Sequence, residues 1–284
     1  MNWTLGNGLT LDFSRRGQVM GIVNVTPDSF SDGGRYFDPE AAIAHGLALL
    51  DEGAEILDVG GESTRPGAKV VSESDELARV LPVIEGILDQ RPEAVISIDT
   101  MKASVARRAV EAGARIINDV TGLDGDPEMM PLAAASGVGV VIMHMQGTPR
   151  TMQAQPNYVD VVAEVSAYFS QQYDRAVAAG IAPDAIVFDP GIGFGKTLDH
   201  NLTLLREVGS LGVSARPILL GVSRKSFIGK VIGSDEIGDR DWPTVALTSF
   251  AREQGVPLVR VHDVRPNVEA MRMTEAILHV DGIE

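Results

Sequence analysis

Short apolar runs alternate along the chain with longer amphipathic stretches, and no low-complexity linker interrupts them. The apolar runs predict strands at Val19–Val23, Ile56–Val59, Val95–Ile98, Ile116–Ile117, Val138–Met143, Ala185–Phe188, Ile218–Leu220 and Leu258–Val261. Between them, Pro39–Asp51, Ser72–Leu88 and Val159–Ala178 repeat apolar residues at helical spacing. Gly53, Gly113 and Gly180 stand where helix C-caps belong, because a residue without Cβ accepts the left-handed backbone there. The unit also repeats locally. Glu52-Gly53-Ala54-Glu55-Ile56-Leu57-Asp58 is similar to Glu111-Ala112-Gly113-Ala114-Arg115-Ile116-Ile117-Asn118: a helix end, a tight turn, and a buried strand closed by a polar residue.

Eight such βα units predict a (β/α)8 TIM barrel, one domain covering residues 1–284. An open doubly wound sheet is the runner-up. That fold usually carries a glycine-rich loop after its first strand, whereas here the first strand runs into Asn24-Val25-Thr26-Pro27-Asp28. Gly195-Lys196-Thr197 imitates the end of a P-loop, but Pro190 occupies the position of the required leading glycine. The segment reads instead as a glycine-rich loop that brings backbone close to a flat ligand, with Phe194 available to cover a ring.

Composition narrows the function. Hydrophobic residues make up 44% of the 284 positions and charged residues 22%, as in a globular domain with a large core. No apolar run approaches the roughly 20 residues of a membrane span, and the first residues lack a secretory pattern, so a cytoplasmic protein without membrane contacts is expected. The absence of cysteine excludes disulfides, thiolate nucleophiles and zinc–cysteine sites. A net charge of −15 disfavours nucleic acid as a partner and means that any polyanion must be captured by locally gathered cations.

A barrel enzyme works at the C-terminal ends of its strands. Each predicted strand ends in polar residues there: Asn24, Asp58, Asp99, Asn118, Met143-His144, Asp189, Ser223-Arg224-Lys225-Ser226 and Arg260-Val261-His262. Singly, an Asp after a strand is most often a helix cap, and His144 reads equally well as a satisfied core histidine. Together they sort by sign. Asp99, Asn118 and Asp189 are acceptor-rich and suit the N–H edge of a flat heterocycle. Arg65, Lys225, Arg260 and His262 suit phosphate, and Asn24 offers an oxygen to a hard cation such as Mg2+.

These residues resemble the signatures of dihydropteroate synthases. Asn24-Val25-Thr26-Pro27-Asp28-Ser29-Phe30-Ser31-Asp32-Gly33-Gly34 looks like the first, and Asp58-Val59-Gly60-Gly61-Glu62-Ser63-Thr64-Arg65-Pro66-Gly67 is similar to the second. Ser97-Ile98-Asp99-Thr100, Ile117-Asn118-Asp119-Val120, Met143-His144-Met145, the Asp189–Lys196 loop, Ser223-Arg224-Lys225-Ser226 and Arg260-Val261-His262-Asp263-Val264 resemble the rest, in order. The resemblance implies a homodimeric enzyme of folate synthesis and a sulfonamide target. Its reaction condenses (7,8-dihydropterin-6-yl)methyl diphosphate with 4-aminobenzoate, using Mg2+.

It also implies roles. Asp99, Asn118, Met143, Asp189, Phe194, Gly221 and Lys225 would bind the pterin. Asn24, Arg65, Arg260 and His262 would hold diphosphate, with Asn24 at the metal. Phe30, Thr64, Pro66 and Ser226 would form the aminobenzoate site. Asp99, Lys225, Asp189 and Asp28 make the candidate catalytic set. The loops Val25–Phe37 and Thr64–Val71 are expected to close over the bound pterin substrate, and Gly233–Trp242 reads as an acidic, loop-like insertion without a role. A pterin-binding paralogue without turnover and a pterin-dependent methyltransferase domain are the competing readings. The first fits poorly with the complete Asn24–Gly34 loop, the second with the absence of room for a cobalamin module.

Overall fold

The computed structural model describes residues 1–26, 38–64 and 68–280. A hairpin of β1 (Asn2–Thr4) and β2 (Thr10–Asp12) comes first. It is followed by β3 (Gln18–Asn24), α1 (Pro39–Asp51), β4 (Ile56–Gly60), α2 (Glu73–Gln90), β5 (Val95–Asp99), α3 (Ala103–Glu111), β6 (Ile116–Asp119) and α4 (Met129–Ser136). Then come β7 (Gly139–Met143), α5 (Val161–Ala178), β8 (Ile186–Asp189), α6 (Leu198–Arg206), β9 (Leu219–Leu220), α7 (Ser226–Ile232), α8 (Asp241–Glu253), β10 (Leu258–Val261) and α9 (Val264–Leu278).

The eight strands β3 to β10 form one sheet in the order β8-β7-β6-β5-β4-β3-β10-β9, with every pairing parallel. A bridge between Phe188 and Ile218 and a 3.1 Å bond from Phe188 N–H to Pro217 O join β8 to the approach of β9 and nearly close the ring. The predicted (β/α)8 barrel is therefore the fold, with α7 as an additional short helix between β9 and α8.

Parity along the strands decides which way each residue faces. Val19, Val23, Leu57, Val59, Ile96, Ile98, Ile117, Val140, Ile142, Ile186, Phe188, Leu220, Val259 and Val261 pack in one apolar cluster with the surrounding helices. The alternate residues Met20, Ile56, Val95, Ile116, Val141, Val187, Leu219 and Leu258, one from each strand, form a second cluster inside the barrel with Trp3, Leu5 and Phe13. The N-terminal hairpin therefore plugs the lower end of the barrel. Gly139 makes room for it: a Cβ there would lie 2.5 Å from Leu5 Cδ2 and 3.0 Å from Trp3 Nε1.

The helices begin and end where local chemistry says they should. Asp38, Ser72 and Asp160 cap α1, α2 and α5 by accepting backbone N–H bonds. The Asp160 cap sets α5 to start at Val161, two residues later than the periodicity predicts. Gly53, Gly113 and Gly180 have φ of 103°, 117° and 101°, as their position just past the helix ends requires. The stretch 233–242, read from sequence as a loop, contains a short 3-10 turn at Gly238–Arg240 and the first residues of α8.

Candidate active site

Above the apolar plug the inward parity turns polar. Two residues beyond Ile56, Val95, Ile116, Val187 and Leu258, the same faces carry Asp58, Ser97, Asn118, Asp189 and Arg260. Asp58 and Ser97 are adjacent across the β4–β5 pair, as are Asp99 and Asn118 across β5–β6. Asp58, Asn118 and Asp189 are buried, at 0%, 5% and 5% exposure, although each is polar. So many buried polar groups at one end of a barrel must satisfy one another or await a ligand.

Asp58, Asp99 and Asn118 are tied together around Arg260. Its Nε donates to Asp58 Oδ2 at 2.5 Å and its Nη2 to Asp99 Oδ2 at 2.7 Å. Asn118 Nδ2 donates to the same Asp58 oxygen at 3.0 Å. Asp58 Oδ1 and Ser97 Oγ are buried without a hydrogen-bond partner among the described residues. The sequence suggests an acceptor floor separate from a cationic rim. In the structure the two interleave, because Arg260 lies between two carboxylates that would otherwise repel. Burial, with Asp58, Glu76 and Asp119 nearby, lifts the Asp99 carboxyl to about 7 against the opposing pull of Arg260.

The second focus is Asp189 with two lysines. Its Oδ1 accepts Gly191 N–H at 2.7 Å, and a Cβ on Gly221 would stand 3.5 Å from Oδ2 and 4.0 Å from Lys225 Nζ. Glycine at 221 thus leaves space beside both charged groups. Burial raises the Asp189 carboxyl, opposed chiefly by Lys225. Lys225 donates to Ile192 O and sits 4.6 Å from the centre of the Phe194 ring. Burial lowers its amine to about 8, with Asp189 opposing the shift.

Lys196 is a structural cation. It is 3% exposed and reaches His144 Nδ1 at 3.0 Å, Phe194 O at 2.9 Å, Gly191 O at 3.1 Å and His144 O at 3.3 Å. Burial pushes its amine down to about 7 and Asp189 pulls it back. The carbonyl partners are acceptors, and the Lys196 amine donates to them. Burial and the neighbouring Lys196 lower His144 to about 3, so its ring is neutral. The plain core reading of His144 is therefore correct. Lys196 locks the glycine-rich loop, where Gly191 and Gly195 have φ of 64° and 60° and a Cβ would collide with His144 O or Gln146 O.

The remaining sequence candidates fall around this pocket. Asn24 is half-buried at the end of β3, Met143 is buried at the end of β7, and Thr64 is half-buried after β4. Ser226 is exposed at the start of α7. His262 Nδ1 lies 2.9 Å from Ser223 Oγ, which also accepts the His262 N–H at 3.1 Å. Asp28, Phe30, Arg65 and Pro66, and most of the two loops expected to close, lie outside the described residues.

Two features carry more weight than their sequence signal. Asp58 is the hub of the floor, and a carboxylate inside the apolar run Ile56–Val59 on the inward parity was the available clue. Beneath the loop after β4, Lys102 bridges Glu62 and the fully buried Glu76, and Thr100 Oγ1 donates to Glu76 at 2.7 Å. Nothing in the local sequence announces that bridge.

The comparisons with known proteins agree with the geometry. Residues 20–262 match the family model described as pterin binding enzyme. The dihydropteroate synthase of Escherichia coli strain K12 is 48% identical over 271 residues, covering 95% of each chain. The structure of the Yersinia pestis dihydropteroate synthase with a sulfonamide drug complex superposes with a TM-score of 0.91 at 46% identity, covering 98% of this chain and 99% of that one. The Xanthomonas albilineans dihydropteroate synthase in complex with 7,8-dihydropteroate gives 0.86 at 41% identity, covering 96% and 98%.

Proposed function

The chain belongs to the dihydropteroate synthase family of pterin-binding enzymes, and from that premise we propose how its residues divide the work. It is a transferase: it condenses (7,8-dihydropterin-6-yl)methyl diphosphate with 4-aminobenzoate, giving 7,8-dihydropteroate and diphosphate. The observation that carries the residue assignment is the convergence of Asp58, Asp99, Asn118, Asp189, Lys225 and Arg260 at one end of the barrel.

Asp99, Asn118 and Asp189 accept the amino and ring N–H donors of the pterin, a recognition that a fixed set of acceptors makes specific. Met143 and Phe194 cover its faces, Gly221 leaves room for it, and Lys225 approaches its edge. Arg260 and His262 meet the diphosphate, with Arg65 and Asn24 at its outer side. Phe30, Thr64, Pro66 and Ser226 receive 4-aminobenzoate. Asp28 is retained in the catalytic set.

The chemistry follows from charge. The C–O bond to diphosphate breaks ahead of attack, because the dihydropterin ring is electron-rich and can spread the positive charge left on the methylene. Asp99 and Asp189 stabilise that cation; Arg260 and His262 stabilise the departing oxygens. The uncharged aniline nitrogen then forms the C–N bond and loses its proton to the diphosphate or to water. It needs placement more than activation.

Mg2+ is proposed at Asn24. No group of three or more His, Asp or Glu side chains suited to a metal exists among the described residues. Mg2+ keeps several waters and binds substrate phosphate, so the Asn24 oxygen would supply one protein ligand among them. When bound, it neutralises charge on the leaving diphosphate.

A cytoplasmic homodimer is proposed as well, a reading that rests on the family resemblance. Exposed Val231, Ile232, Ile237 and Trp242, on α7, the turn after it and α8, are the surface offered to the second copy. Light scattering that gives a monomer mass at micromolar concentration contradicts the dimer. The residue assignment is tested by pterin titration of Asp99→Asn, Asn118→Ala and Asp189→Asn; wild-type affinity in all three refutes it.

A further inference from the structure

Arg224 adopts a conformation that few arginines do. Its φ is 58°, in the left-handed region where a Cβ is disfavoured. It is the third residue of the turn closed by Lys225 N–H to Val222 O at 3.2 Å, a position at which positive φ usually selects glycine or asparagine.

The backbone and guanidinium of Arg224 are held from outside the pocket. Nε donates to Asp241 Oδ1 at 2.6 Å and Nη2 to Asp263 Oδ2 at 2.7 Å. The backbone N–H donates to Thr244 Oγ1 at 3.2 Å, and the carbonyl accepts Arg240 Nη1 at 3.1 Å. Thr244 Oγ1 in turn donates to Arg240 O at 2.7 Å. The anchors come from two places: the first turn of α8 with the residue before it, and Asp263 at the N-cap of α9. Glycine would give the turn without steric cost, but without the guanidinium that ties it to two elements.

The next residue is Lys225. Its side chain runs past Gly193, where an added Cβ would lie 3.2 Å from Lys225 Cδ, and ends against Ile192 O, Phe194 and the Asp189 side of the pocket. There is little slack for this lysine, so the turn that launches it must be fixed.

We propose that Arg224 is a positioning residue: Asp241, Asp263, Thr244 and Arg240 hold it in a left-handed turn, and that turn aims Lys225 into the pocket. The proposal rests on the reading of Lys225 as a pterin-site residue. It gives the stretch before α8, and Arg240 and Asp241 in particular, a function at a distance from substrate.

The test compares Arg224→Gly, which relieves the backbone, with the double variant Asp241→Asn/Asp263→Asn, which loosens the clamp and keeps the arginine. Their combination and Lys225→Ala complete the set, and thermal melting identifies folded variants. Arg224→Gly and the double variant should each lower kcat about fivefold or more, with KM for 4-aminobenzoate changed less than about twofold. The combination should lose no more than Arg224→Gly alone. The basic limb of the kcat/KM–pH profile reports Lys225, which Asp189, Asp99 and Arg260 face; it should move up by about half a unit as the freed lysine gains solvent. A kcat within about twofold of wild type in both variants overturns the proposal, and so does lowered kcat with an unmoved limb. Should Arg224→Gly fail to fold, the double variant alone decides by the same two readouts. Wild-type kcat and pterin affinity in Lys225→Ala would sink the pterin-site reading, and the clamp with it. A crippled Lys225→Ala beside a normal Arg224→Gly sinks the clamp alone.

Discussion

Asp58 Oδ2 accepts Arg260 Nε at 2.5 Å and Asn118 Nδ2 at 3.0 Å, so one buried oxygen orients both a cation and an amide. Because the Asn118 amino group is committed to Asp58, its carbonyl oxygen is the end left to meet a ligand. Asp58→Asn replaces an acceptor with a group that is half donor and frees the amide of Asn118 to turn. Pterin affinity should fall about tenfold, in line with the roughly 1.5–3 kcal/mol of a charged hydrogen bond. In an Asn118→Ala background the same change should cost much less. Calorimetric titration of the four proteins checks this; fully additive losses would mean that Asp58 acts elsewhere.

Asp189 is held by one oxygen and open at the other. Gly191 N–H occupies Oδ1, while Oδ2 faces Gly221. Asparagine can keep the Gly191 bond and would then present a donor to the pterin where an acceptor is needed. Asp189→Asn should weaken pterin binding by about one order of magnitude or more, with thermal stability little changed. Unchanged affinity removes Asp189 from the floor.

For Arg260 the structure modifies the simple expectation that only phosphate binding suffers. Removing it leaves Asp58 and Asp99 facing each other without their shared cation. Arg260→Ala should therefore weaken pterin diphosphate most, and also weaken a phosphate-free pterin by a smaller factor. His262→Ala should affect the diphosphate form alone, and less, since an imidazole offers fewer donors than a guanidinium. Equal losses for both ligands in Arg260→Ala would assign the arginine a purely structural role.

The shifted groups predict a narrow pH optimum. Asp99 accepts hydrogen bonds fully only when ionised, and its carboxyl is raised to about 7, so kcat/KM should rise with pH through that value. Lys225 is lowered to about 8 and loses its charge above it, so kcat/KM should fall there. Asp99→Asn should flatten the acid limb and Lys225→Arg the basic one. A wild-type profile flat between about pH 6 and 9 contradicts these assignments.

Much of this molecule is readable from sequence, and the exceptions have physical causes. The eight apolar runs become the eight strands because buried parallel strands need apolar side chains on both faces. The plug formed by Trp3, Leu5 and Phe13 escapes notice because β1 and β2 are three residues each, too short for a period to show. Asp99, Asn118 and Asp189 are found by position at strand ends. Their pairing is not, since the Arg260–Asp58 contact spans 202 residues of sequence and depends on barrel closure. Lys102 with Glu62 and Glu76 stays hidden because the three residues sit on separate elements, the two glutamates 40 and 26 residues from the lysine. Asp119 caps no helix but serves its own turn, accepting bonds from Thr121 and Leu123. The capping explanation, plausible for any Asp after a strand, also fails for Asp99, whose carboxylate turns to Arg260.

This barrel joins a pterin diphosphate to 4-aminobenzoate. The most direct measurement incubates the protein with both substrates and Mg2+ and follows diphosphate and 7,8-dihydropteroate together. The two should appear in equal amounts, and both should depend on 4-aminobenzoate. Diphosphate released without dihydropteroate, or no release at all from folded protein, would contradict this activity.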